Sequence, residues 1–203
     1  EPILPLSLFR DRLFTVSILH GILAGWAMFG SLNFVPLFAQ AVLGTSATQA
    51  GITLTPMSLT WTFFSFLAGW LLLKVGYRTL VITGMVLLVT GAFLMSRIGA
   101  GTSVITLMAY LCLMGAGMGL SIPAFLIAVQ STVNKRDLGI ATSTLNFSRS
   151  IGGTFGVSIL GIFLTVRLAE GLRVVGIDPA SIALESLIEP AAGAAMQGPV
   201  REA

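Results

Sequence analysis

Acidic side chains are nearly missing from the body of this chain: between Phe14 and Val166 the only one is Asp137. Charged residues of both signs make up 9% of the 203 residues, against roughly 25% in a soluble domain, and mean hydropathy is +0.96. With so little charge to cover a water-facing surface, a soluble globular domain is excluded; the chain is built for lipid. A single cysteine, Cys112, leaves no disulfide framework and no thiolate metal site. Also missing are a phosphate-binding glycine loop after a strand, a ligand cluster with metal spacing, and a Ser-His-Asp set able to meet in a membrane. The sequence therefore predicts no enzyme and needs no metal or organic cofactor. The excess of positive charge forms neither a patch nor an arginine-rich arm, so no nucleic-acid partner is expected.

What is abundant is long apolar sequence. Runs of about twenty residues match a hydrocarbon core of about 30 Å at a rise of 1.5 Å per residue. Spans are predicted at about 14–38, 50–73, 79–98, 104–129 and 140–166, giving an all-α, polytopic transmembrane bundle of five helices. Basic residues mark alternate loops: Arg10 and Arg12 before the first span, Lys74 and Arg78 between the second and third, Lys135 and Arg136 between the fourth and fifth. By the positive-inside rule these loops are cytoplasmic. Residues 1–13 then read as a cytoplasmic lead-in, 14–167 as the bundle, and 168–203 as an extracytoplasmic loop or tail, with a short amphipathic helix at 180–189 or a flexible connector as its two readings. The first residue is Glu, and an odd number of spans puts the ends on opposite faces, as expected of a piece of a longer membrane protein.

Several positions are unusual for lipid-embedded helices. Gly115, Gly117 and Gly119 precede Pro123 in the fourth span, a combination for close helix packing and bending, as a static kink or as a moving gate. In the fifth span Thr142, Asn146, Arg149, Gly153 and Gly156 share a face. Arg149 lies about 15 Å along the helix from Gly139, and a charge at that depth costs at least about 2.5 kcal/mol on insertion scales. No carboxylate within the spans can pair with it. Its candidate partners are a carboxylate in a missing segment, unwound backbone carbonyls, Asn146, or an anionic substrate group. Trp26, Asn33 and Gln40 are seven apart and share a face flanked by Phe29 and Pro36; this stripe lines a pocket for bulky amphipathic compounds or glues helices together. His20, without a carboxylate near it in sequence, reads as a hydrogen-bonded packing residue rather than a proton relay.

Several stretches together resemble the major facilitator superfamily, within it the fourteen-span drug/proton antiporter branch of multidrug efflux pumps. Residues 34–51 followed by Pro56 look like the first span of that branch's C-terminal half and its outer loop. Residues 134–156, Asn-Lys-Arg-Asp-Leu-Gly-Ile-Ala-Thr-Ser-Thr-Leu-Asn-Phe-Ser-Arg-Ser-Ile-Gly-Gly-Thr-Phe-Gly, resemble the loop and helix of the eleventh core span, and Gly119 with Pro123 fits the tenth. Residues 69–78 are similar to the family's cytoplasmic loop motif at Gly69, Leu71, Gly76 and Arg78, with Leu73 where aspartate is expected and Lys74 in place of arginine.

The resemblance implies core spans seven to eleven of a carrier. The N-terminal half, which holds the proton-coupling acids in that family, and one final span would lie elsewhere. It implies a multi-pass plasma-membrane protein that exports hydrophobic or amphipathic small molecules in exchange for protons. Trp26, Phe29, Asn33, Gln40, Asn146 and Arg149 would be cavity candidates, and Gly115, Gly119, Pro123, Gly152, Gly153 and Gly156 packing or gating positions. Alternatives are a carrier of a specific metabolite, lipid or siderophore on the same fold, and a non-transporting membrane scaffold subunit.

Overall fold

The computed structural model describes residues 10–99 and 101–174; the helix expected at 180–189 lies outside them. The elements are α1 (Arg12–Ala41), a short α2 (Ala47–Ile52), α3 (Thr55–Met95), α4 (Val104–Thr132) and α5 (Leu138–Val174). The starts of α1, α2 and α4 carry side-chain caps. Asp11 accepts from the Leu13 amide at 2.8 Å, Ser46 and Gln49 form a reciprocal capping box at α2, and Ser103 accepts from the Thr106 amide at 3.2 Å.

Among the described residues, four helical stretches, rather than the five expected, are long and apolar enough to cross a membrane. The difference has a physical reason. The expected spans 50–73 and 79–98 fall in one helical stretch whose continuity breaks at a single residue, Gly76, with φ 76° and ψ 161°. A straight helix of 41 residues would run about 60 Å, twice the hydrocarbon thickness. Instead the chain folds back. Packing on α4 gives the directions: along the arm 55–75, Met57 and Thr60 meet Gly115 and Trp61 meets Gly119, in ascending order, whereas along the arm 77–95 Gly84 meets Ser121 and Gly91 meets Met114, in descending order. The two arms of α3 are therefore antiparallel, one on each side of α4.

The remaining directions follow in the same way. His20 reaches Ser121 and Ser31 reaches Met114, so α1 runs against α4. Gly21 meets Ser148, Trp26 meets Gly156 and Gly30 meets Leu160, so α1 and α5 are parallel. The sense alternates through α1, the two arms of α3, α4 and α5, as successive crossings require.

The core sits on α4, where every residue from Met114 to Ser121 is buried. Its glycines explain how two arms fit beside it. Gly115 and Gly119, four apart, face the first arm; Gly117, turned by about 200°, faces the second, where an added Cβ would stand 2.5 Å from the Leu88 amide nitrogen. Large side chains such as Phe66, Leu73, Ile105, Phe147 and Ile162 are exposed, which lipid accepts and water does not.

Candidate functional site

Two helices carry the polar groups at mid-depth, and glycine lets them approach. On α1, Gly21 and Gly25 are four apart; a Cβ on Gly21 would stand 2.5 Å from Ser148 Oγ, and one on Gly25 would run into the Arg149 backbone carbonyl. On α5, Gly152 lies against the Ile22 backbone, Gly153 against the Phe29 ring, and a Cβ on Gly156 would be 2.8 Å from Trp26 Cγ. Trp26 and Phe29 thus use the space that glycines of α5 leave. Gly21 and Gly25 were not singled out by the sequence reading, although their small-x-x-x-small spacing signals such an approach.

Arg149 is half-buried, eleven residues into α5 and so about 16 Å from its start. Its guanidinium donates to Asn146 Oδ1 at 2.8 Å. Among the described residues no carboxylate contacts it, the one ion pair there being Arg167 with Glu170 at 3.3 Å. With Asn146, Ser17, His20, Ile122 and Phe125 it borders a recess of about 50 Å³. His20 is buried, its Nε2 3.0 Å from Ser121 Oγ, and its ring 4.6 Å from that of Phe125. The Ser121 hydroxyl donates its proton to the Gly117 carbonyl at 2.8 Å, so His20 Nε2 is the donor to Ser121. This is a packing histidine held by a serine that sequence reasoning did not connect to it; the two are 101 residues apart.

The amide stripe of α1 is turned to its own backbone. Asn33, exposed, donates from Nδ2 to the Phe29 carbonyl at 2.8 Å, and Gln40, half-buried, donates from Nε2 to the Pro36 carbonyl at 3.2 Å. A second, much larger cavity of about 930 Å³ opens between α1, the second arm of α3, α4 and α5, with Trp26, Phe34, Phe38, Met95 and Phe163 in its wall. Of the six cavity candidates only Trp26 lines it. Asn146 and Arg149 line the small recess, while Phe29, Asn33 and Gln40 border neither. The large cavity's wall has no charged side chain; its polar groups are the Ser31 and Ser96 hydroxyls and the Trp26 indole N–H.

The loop-motif residues frame the reversal of α3. Gly76 makes the turn, Arg78 is exposed just beyond it, and an added Cβ on Gly69 would meet nothing within 4 Å. Lys74, where the pattern has arginine, places Nζ 3.9 Å from the centroid of the Trp70 ring. Pro123 lies inside α4, two residues beyond the Ser121 that holds His20.

Comparison with known proteins gives a consistent picture. The family model described as Major Facilitator Superfamily matches residues 1–157. The multidrug transporter protein MdtP of Bacillus subtilis is 39% identical over 167 residues, which cover 82% of this chain and 31% of that protein. Multidrug resistance protein 3 of the same organism is 33% identical over 81% of this chain and 32% of its own length. The aspyridones efflux protein of Neocamarosporium betae is 30% identical over 88% and 32%, respectively. The chain thus spans about a third of the length of these curated relatives.

Proposed function

Since the chain belongs to the major facilitator superfamily, its helices are part of an integral membrane transporter, and we propose that the full-length carrier exports hydrophobic or amphipathic small molecules in exchange for protons. The work is done by rocking of two halves around a site near mid-membrane. The N-terminal end of this piece is cytoplasmic, and residues after α5 lie outside. The observation that carries the reading is a charged and polar cluster, Arg149 with Asn146, at mid-depth in a bundle without intramembrane acids. An intramembrane charge marks a transport path by default. Relatives named as multidrug and efflux proteins support the direction and the class of cargo.

In this reading Asn33, Gln40, Asn146 and Arg149 face the other half or the cargo, and Trp26 and Phe29 give aromatic surface. The test uses inverted vesicles carrying the full-length carrier and a fluorescent hydrophobic cation. Uptake driven by an inward-acid gradient is expected to stop when the gradient is collapsed. It should also fall at least several-fold when Asn33, Gln40 and Arg149 are together replaced by alanine in correctly inserted protein. Undiminished uptake by the triple variant would remove these residues from the site.

The large cavity has a second reading. A ligand pocket needs a few polar groups to orient its contents, and this wall offers two serine hydroxyls, that of Ser31 turned to Met114 Sδ, and the Trp26 indole N–H. It suits a further apolar helix of the full-length chain better than a cargo. Cysteines at Ala92 and Leu164 of the wall should then be shielded from a lipid-soluble maleimide in the full-length carrier; labelling of both, blocked by cargo, would favour the ligand instead.

A further inference from the structure

We propose that the recess beside Arg149 receives the carboxylate of an acidic side chain carried on a transmembrane helix of the carrier outside this chain. The proposal rests on the reading of the chain as part of a two-halved carrier and gives Arg149 its partner.

The chemistry of the recess selects an anion. A guanidinium has only donors, so Asn146 must turn its oxygen to Arg149, as observed at 2.8 Å. What Asn146 still offers is its NH2 group, and the remaining Arg149 N–H groups are donors as well. Ser17 donates its proton to the Leu13 carbonyl at 2.7 Å and His20 Nε2 donates to Ser121, so these two side chains keep only neutral acceptors, neither of which balances the guanidinium charge. Ile122 and Phe125 form the apolar side, which strengthens a charge pair by excluding water.

Size selects the source. About 50 Å³ admits a carboxylate or a few waters, whereas a drug-sized ligand takes roughly 300 Å³ or more. Charge balance points the same way. The spans described here hold no acid to neutralise Arg149, and about two-thirds of the length of the curated relatives lies beyond what this chain covers. A permanent charge at mid-depth is retained when its counter-charge is equally fixed.

The experiment is thermal unfolding of the purified full-length carrier in detergent, a readout that requires no transport. Arg149→Gln should lower the midpoint by several degrees, and Arg149→Lys should keep most of it. Each intramembrane Asp or Glu outside this chain is then neutralised in the Arg149→Gln background. One such change, damaging alone, should restore the midpoint. A wild-type midpoint for Arg149→Gln, or no restoring neutralisation, would overturn the pairing. So would loss of the difference between wild type and Arg149→Gln on exchanging chloride for gluconate, which would make the partner an inorganic ion, or its dependence on an added anionic cargo. A carrier that shows the rescue yet exports no hydrophobic compound would leave the pairing standing and defeat the efflux reading.

Discussion

Replacing Gly152 by valine is expected to prevent the full-length carrier from accumulating in folded form. A Cβ at this position runs into the Ile22 backbone, so no side-chain rearrangement makes room and α1 and α5 must separate. Overpacking usually costs about 1–3 kcal/mol; here the obstacle is a main chain, and the effect should reach the upper end, about 3 kcal/mol or more. Separation would also displace the polar recess, because Gly25 lies against the Arg149 carbonyl one turn away. The check is fluorescence-detected size-exclusion chromatography of tagged carrier: a monodisperse peak at wild-type height for Gly152→Val would show that the α1–α5 contact is looser than described. Gly152→Ala should already be impaired, since the first carbon is the one that collides.

Gly76→Ala should be the second severe change, for a different reason. An added Cβ there has nothing within 4 Å, so crowding plays no part. The cost lies in the backbone, at φ 76° and ψ 161°, a region open essentially to glycine alone and worth about 1–3 kcal/mol per misplaced residue. The arms of α3 reverse through this residue, so relief of the strain would splay them from α4. Gly69→Ala, in the same loop motif but within regular helix and open space, should instead be neutral or raise stability by up to about 1 kcal/mol. Thermal midpoints of the two variants in the full-length carrier should therefore move in opposite directions. Equal midpoints would mean that Gly76 is not the hinge of the reversal.

Class and family were legible in the sequence because they rest on features that need no tertiary knowledge. Apolar length gives an all-α membrane bundle, and the run from Asn134 to Gly156 carries the likeness to the superfamily. The reversal at Gly76 was legible as a basic loop, but its compression into one residue was not, because a ψ angle leaves no trace in composition. Among the glycines, the roles of Gly115 and Gly119 could be read from their spacing, whereas the separate partner of Gly117 depends on an arm of α3 about thirty residues upstream. His20 and Ser121 illustrate the limit most clearly: each is an ordinary residue on its own helix, and only the antiparallel register of α1 and α4 joins them. The stripe of Trp26, Asn33 and Gln40 was periodic as expected, yet periodicity says which residues share a face and not what that face meets. Asn33 and Gln40 satisfy carbonyls of their own helix.

The parallel contact of α1 with α5 also has a mechanical meaning. Helices that slide past each other do so on a layer of interlocked side chains, whose rotamers absorb the displacement. At Gly21, Gly25 and Gly152 that layer is nearly absent, with backbone facing backbone or a short serine side chain. There is little to shear. The pair is expected to move as one unit rather than by sliding of α1 along α5.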